Sequence, residues 1–353
     1  MRGTVSRLGA CSFVAAALLA VTSLLLAPIR ASAPGQRPEV LRSVDAVPPD
    51  IVGQFREPTD FEQASSGQYF VFDRRGHAVY GIDAARTSAW KIVQIGQEEG
   101  RIIEPTAFSL YPNGTFVVAD APDGRERVQL FTSGGARIAG FLLSGRAGAR
   151  VVIGTVVLNG VGSLQYTGRS VLVSRPEDGS LVTEYSVSGD VIRYFGALRA
   201  TGQESDRQVH LGLNAGLPLV NPKGGYYFVF QAGAPMFRKY DEAGILCFER
   251  HIEGVELDPV IGALPTKWPR RKTEGGAELP IIPSTVLTAA VDRTGNLWVS
   301  LSVGYTYVYD PNGERVRVVQ FRAAGLTAPT SLFFSSTGRL LITPGCYLFQ
   351  AGS

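Results

Sequence analysis

Apolar residues along this chain come in short bursts separated by Gly, Pro, Asn and Asp, and outside the N-terminus no long segment keeps a 3.6-residue period. The stretch YPNGTFVVADAPDGRERVQLFTSGGARIAGF (111–141) shows the pattern. An Asn-Gly turn leads into Phe116–Ala119, a polar link follows Asp120, a second run spans Val128–Phe131, and a Ser-Gly-Gly turn precedes a third run from Ile138. This predicts short antiparallel strands joined as a meander. A lone meander cannot bury both faces, so it must pack against others. Phe116-Val117-Val118 is continuously apolar, as expected of a strand covered on both faces.

The unit recurs. Residues 57–73 read EPTDFEQASSGQYFVFD and residues 104–120 read EPTAFSLYPNGTFVVAD, offset by 47 without a gap. Looser copies occupy 162–174, 217–230, 283–300 and 329–343, with turn glycines at Gly67, Gly114, Gly168, Gly224, Gly295 and Gly338, spaced 47, 54, 56, 71 and 43 residues apart. After five of the six a second hairpin pattern follows, so each unit reads as four antiparallel strands of roughly 45–55 residues, the period of a propeller blade. The sixth unit ends with its third strand at Cys346–Gln350, while Glu39–Val47 is strand-like and precedes the first unit. The expectation is an all-β, six-bladed β-propeller of four-stranded antiparallel blades, closed by the N-terminal strand completing the last blade.

NGTFVVADAPDGRERVQLFTSGGARIAGF (113–141) resembles an NHL-type repeat, and GNLWVSLSVGYTYVYDPNGERV (295–316) is similar. Residues 39–353 as a whole resemble six-bladed propellers of the NHL-repeat and TolB-like kind. That resemblance implies the fold but no one activity, because binding scaffolds, lactonases and lyases share it.

The N-terminus changes both the domain plan and the charge. Arg2 and Arg7 precede a mostly apolar stretch, 13–29, and Ala31-Ser32-Ala33 has the small-x-small pattern of a signal-peptidase site. Residues 1–33 are expected to be a signal peptide, with 34–353 a single propeller domain exported to the periplasm or the extracellular space. The alternative, a retained anchor at 13–29, would tether the chain to a membrane. The whole chain carries 34 basic and 31 acidic residues. Removing Arg2, Arg7 and Arg30 leaves 31 against 31, so no electrostatic case for nucleic acid remains.

Candidate chemistry is sparse. Some six-bladed propellers resemble gluconolactonases, a likeness that implies a channel metal held by a Glu before the first strand and by an Asn and an Asp from later blades. Glu57 stands near the first position, but the matching places elsewhere hold Thr106-Ala107, Leu287-Thr288 and Thr330-Ser331, which offer no carboxylate. No metal, no cofactor and no catalytic residue is therefore assigned. Glu57 and Glu104 occupy equivalent places in adjacent units, and two carboxylates at a channel mouth suit a cationic group or acid–base work. Alternatively they are inherited repeat residues, solvated or paired with Arg56 or Arg101. Asp73, Asp120 and Asp292 recur at turns and strand ends and suit capping. His77, His210 and His251 lie in different units. Cys247 and Cys346 fall in non-adjacent blades, so each is expected as a small buried apolar residue without a disulfide.

The least repetitive segment is GVELDPVIGALPTKWPRRKTEGGAELPII (254–282), an insertion between the fourth and fifth units. Trp268 beside Arg270 and Arg271 suits recognition of a carboxylate- or phosphate-bearing partner, on a segment folded back over the ring. The alternative is a solvated loop with Trp268 covering the edge of the fourth unit. A second insertion, 198–211, is polar. The functional expectation is a monomeric, non-enzymatic binding scaffold for a protein or small-molecule ligand. The alternatives are a central-channel hydrolase or lyase of lactonase-like kind, and a carbohydrate-binding module using Tyr226, Tyr305 and Trp268.

Overall fold

The computed structural model describes residues 37–146, 148–154, 156–273 and 276–351. The expected signal segment 1–33, with its apolar stretch, lies outside them, and none of the described helices is long and apolar enough to cross a membrane.

Strand β1 (Glu39–Ala46) and the single turn α1 (Pro49–Val52) precede the first meander: β2 (Pro58–Gln63), β3 (Tyr69–Asp73), β4 (Ala78–Ile82) and β5 (Ala89–Val93). The second is β6 (Ala107–Leu110), β7 (Phe116–Asp120), β8 (Arg127–Phe131) and β9 (Arg137–Leu142). A hairpin, β10 (Arg150–Ile153) and β11 (Val156–Asn159), separates it from the third: β12 (Leu164–Tyr166), β13 (Ser170–Ser174), β14 (Ser180–Ser186) and β15 (Val191–Ala197). Helix α2 (Arg207–Asn214) leads to the fourth: β16 (Gly216–Val220), β17 (Tyr226–Phe230), β18 (Met236–Tyr240) and β19 (Leu246–His251). Then come α3 (Asp258–Gly262), β20 (Arg270–Lys272) and β21 (Glu278–Ile282), and the fifth meander: β22 (Val286–Val291), β23 (Leu297–Leu301), β24 (Thr306–Tyr309) and β25 (Arg315–Arg322). β26 (Ser331–Phe334), β27 (Arg339–Thr343) and β28 (Tyr347–Gln350) form the last.

Within each meander consecutive strands pair antiparallel, the blade pattern of a β-propeller. The continuous apolar runs are second strands, and β3, β7, β13 and β23 are buried along their whole length. Neighbouring meanders supply the cover: Phe70 and Phe72 of the first pack with Phe108 and Phe116 of the second, with Phe72 stacked on Phe108 at 5.6 Å between ring centroids. Leu341 and Leu348 of the last meander share a core with Phe61 and Tyr69 of the first. Strand β1 divides its pairing. Glu39–Arg42 run parallel to β25 (Leu41 opposite Phe321), and Ser43–Ala46 run antiparallel to β28 (Ser43 opposite Phe349), with a register shift between Ser43 and Asp45. The parallel half joins the fifth meander and the last into one mixed sheet, which strand patterning alone does not anticipate.

One sheet lies outside the repeat. Its order is β11-β10-β21-β20, with Val152 parallel to Ile281 and Ile153 to Ile282. Helix α2 packs on it through Val209, Leu211 and Leu213, against Val151 and Ile282. Gly212 permits the close approach, since a side chain there would strike Ile282 and Val151. Asp206 caps the helix N-terminus by accepting from the Val209 N–H at 3.3 Å. At the other end the partly buried Arg199 donates to the Leu213 carbonyl at 2.6 Å. Thus the polar insertion 198–211 becomes a capped helix start. The 254–282 segment is a helix turn plus a hairpin, not a loop, and the 143–162 link contributes strands that its polar flanks hide.

Cys346 is buried, and burial pushes its thiol up to about 12. Cys247 is exposed on β19, which corrects the expectation of a second buried thiol: β19 is an outermost strand and turns most residues to solvent. Both thiols are free.

Candidate functional site: the central cavity

The first strands of the meanders, β2, β6, β12, β16, β22 and β26, all line one cavity of about 1090 Å³. That volume is enough to enclose much of a small organic ligand. Its walls differ in character around the circumference.

On β2 the chain alternates Asp60, Phe61, Glu62. Phe61 points into the core shared with the last meander, so the strand's two-residue period turns Asp60 and Glu62 together to the other side, where both line the cavity. The Glu62 carboxylate accepts the Leu110 N–H of β6 at 3.0 Å. The surrounding cavity wall strips water from both groups. Loss of solvation pushes the Asp60 carboxyl up to about 7, against the opposing pull of a Thr59 hydrogen bond and the Arg74 charge. Glu62 is raised well above the usual carboxylate range, first by desolvation and then by the Asp60 charge. The cavity therefore holds a half-buried acid pair whose surroundings favour the protonated forms.

At the end where these strands begin stand Arg56, Glu57, Arg74, Arg75, His77 and Glu104. Asp73, fully buried, shapes this mouth by accepting the N–H groups of Arg56 (2.9 Å), Glu57 (2.8 Å) and Gly76 (3.0 Å), the capping role its place in the repeat implies. Glu57 forms an ion pair with Arg74. Glu104 is exposed and makes no hydrogen bond or ion pair among the described residues. His77 has a buried Nδ1 without a partner among the described residues. The expected pair Glu57 and Glu104 is thus brought to one mouth, with Arg74 rather than Arg56 as the partner of Glu57. With all of them ionised, the four lining carboxyls would face three guanidinium groups, and the Glu57–Arg74 pair neutralises itself. A negative excess that could hold a cation therefore arises only when Asp60 and Glu62 give up their protons.

Across the cavity the wall is apolar: Leu217 and Leu219 of β16, Leu287 of β22, and Val156, Val157 and Leu158 of the added sheet. Thr288 and Ser331 lie between, as the sequence positions implied.

Trp268, Arg270 and Arg271 do not line the cavity. Trp268 packs on the core of the added sheet, with its indole N–H buried and unpartnered among the described residues. Arg270 pairs with Asp206, while Arg271 is exposed on β20. Trp268 precedes β20, which carries the two arginines, and none of the three shares the cavity lining of Glu57 and Glu104. Among the described residues no three His, Cys, Asp or Glu side chains converge as a metal ligand set.

The acids that matter most, Asp60 and Glu62, were not among the residues singled out from the sequence. The signal was present: the gapless repeats differ at Asp60/Ala107 and Glu62/Ser109, two alternate positions of an inner strand. Two acids there, where the copy has small residues, mark a departure from the packing pattern.

No protein-family model matches the chain, and no curated protein matches it in sequence. Among solved structures it is similar to a streptogramin B lyase (TM-score 0.48, 10% identity, 83% of this chain and 92% of that one). It is also similar to virginiamycin B lyase from Staphylococcus aureus (0.49, 9%, 81% and 77%) and to U3-55K (0.46, 12%, 81% and 72%). At these identities and scores the likeness carries no argument about the site.

Proposed function

We propose that this chain is an exported, non-enzymatic six-bladed propeller that binds a small molecule with a cationic, hydrogen-bond-donating head in its central cavity. The observation that carries the reading is the Asp60–Glu62 pair: two acids side by side on the cavity wall, without an ion pair, whose protonated forms are favoured by a loss of solvation that the Arg74 charge offsets only in part. A bound ammonium would supply the further counter-charge, so binding releases protons and tightens as pH rises. Titration calorimetry with ethylammonium at pH 6 and pH 8, in buffers of differing ionisation enthalpy, tests it. The expected result is proton release and tighter binding at pH 8, both lost in Asp60→Asn/Glu62→Gln. Equal binding by the double variant would overturn it.

The ring reading adds the last meander as a sixth blade completed by β1; its support is the β1–β28 pairing and the core joining last meander to first. Deleting residues 38–48 is expected to lower the melting temperature by more than about 5 °C.

The acid pair also favours a second reading. A carboxyl raised to about 7 is suited to general acid or base catalysis, as a channel lyase or hydrolase would need. Recovery of chemically intact ligand after prolonged incubation separates binding from turnover.

A further inference from the structure

Val156 and Val157 are 37% and 45% exposed, at the start of β11, and both line the cavity. Hairpin starts ordinarily carry polar or turn-forming residues. Here three successive apolar residues, Val156 to Leu158, stand at the channel. The element bearing them is not a loose flap. β10 is sandwiched between β11 and β21, and α2 and Trp268 cover the sheet from behind. The hairpin's base faces a buried ionic cluster: Arg175 bonds Glu177 at 3.1 Å and Asp178 at 3.2 Å, and Gly148 and Gly160 abut Glu177 and Glu126. Three insertions, far apart in the chain, converge to hold this apolar edge in place. Leu217, Leu219 and Leu287 continue it along the cavity wall, opposite the acids of β2.

We infer that the added sheet is the specificity element of the cavity and that the ligand is an amphiphilic cation, whose ammonium head meets Asp60 and Glu62 and whose hydrocarbon tail lies along Val156, Val157 and Leu158. The inference rests on the cation-binding reading above and adds the tail. The charge complementarity of β2 selects the head, and an apolar wall facing it leaves an alkyl chain as the part that gains from contact. Neither valine is part of the folded core, so replacing both leaves the protein intact.

The test is a series of n-alkylammonium ions from ethyl to hexyl, titrated into the full-length protein and into Val156→Ser/Val157→Ser. In the wild type, affinity should rise about threefold per added methylene, the increment expected for burying hydrocarbon. In the variant, ethylammonium should bind as before and the dependence on chain length should flatten, with the melting temperature unchanged. Ethylammonium binding without any chain-length dependence in the wild type, or a dependence that survives in the variant, overturns the lip while the acid-pair reading stands. If no alkylammonium binds the wild type, reading and inference fall together.

Discussion

The first and second meanders begin with the same frame, EPT-x-F, and end it with the same aspartate, yet the two do different things. Asp73 and Asp120 both hold the backbone ahead of their own first strand: Asp73 through the Arg56 and Glu57 N–H groups, Asp120 through the Ile103 N–H at 3.1 Å. Phe61 and Phe108 both enter inter-meander cores. At the positions facing the cavity the copies part. The first has Asp60 and Glu62, and the second has Ala107 and Ser109. Ser109 is spent on structure, accepting the Tyr166 N–H at 3.0 Å and a Gln165 amide at 3.1 Å. After the aspartate the first has Arg74, paired with Glu57, and the second has Ala121, leaving Glu104 unpaired among the described residues. The residues that build the blade are therefore shared, and those that define the site belong to one copy.

The largest effects should come from breaking the shared part. Asp120 and Arg127 form a buried ion pair at 2.6 Å, with Asp120 fully covered. Asp120→Ala strands the guanidinium and should cost about 3–5 kcal/mol in chemical denaturation. Asp73→Ala leaves three N–H groups without their acceptor but no buried cation, and should cost about 2–3 kcal/mol. Equal losses in the two would mean that Arg127 contributes nothing.

Next comes conversion of the first meander's wall into the second's, Asp60→Ala/Glu62→Ser. Both acids bind protons more tightly folded than unfolded, so folding is favoured at low pH. That stability is lost as pH rises from the ordinary carboxylate range through about 7, where Asp60 ionises. The variant should match the wild type near pH 4 and exceed it by at least on the order of 2 kcal/mol by pH 8, with cation binding abolished. An unchanged slope of stability against pH between 5 and 8 would show that channel water already solvates the pair.

The smallest effect belongs to Arg74→Ala, which gives the first mouth the second's residue. Arg74 and Glu57 are 26% and 41% exposed, so the loss should be under about 1 kcal/mol and should fade with added salt. A larger loss would make the mouth pair structural.

Much of the architecture was legible because it is local. Turn glycines such as Gly114, runs such as Phe116–Val118, and the gapless 57–73 and 104–120 copies each report on a few neighbouring residues, and the structure puts turns at the glycines and strands on the apolar runs. The site was less legible. Asp60 and Glu62 could have been found by subtracting one copy from the other. The added sheet could not, since nothing local in 143–162 points to its distant partner: β10 pairs with Ile281 and Ile282, more than a hundred residues away. Nor could Cys247, whose apolar neighbours Ile245 and Leu246 suggest burial until β19 is seen to be an outermost strand.

The amino-acid sequence by itself determined the strand lengths, the turns, the repeat and the capping aspartates, because backbone dihedral preference and side-chain alternation act within a few residues. Tertiary structure alone decided which insertions meet, which wall of the cavity is charged and which apolar, and that two ordinary carboxyls hold their protons near neutral pH. Those outcomes depend on what surrounds a group in space. Desolvation and long-range strand pairing are properties of the assembled fold, and no single segment carries them.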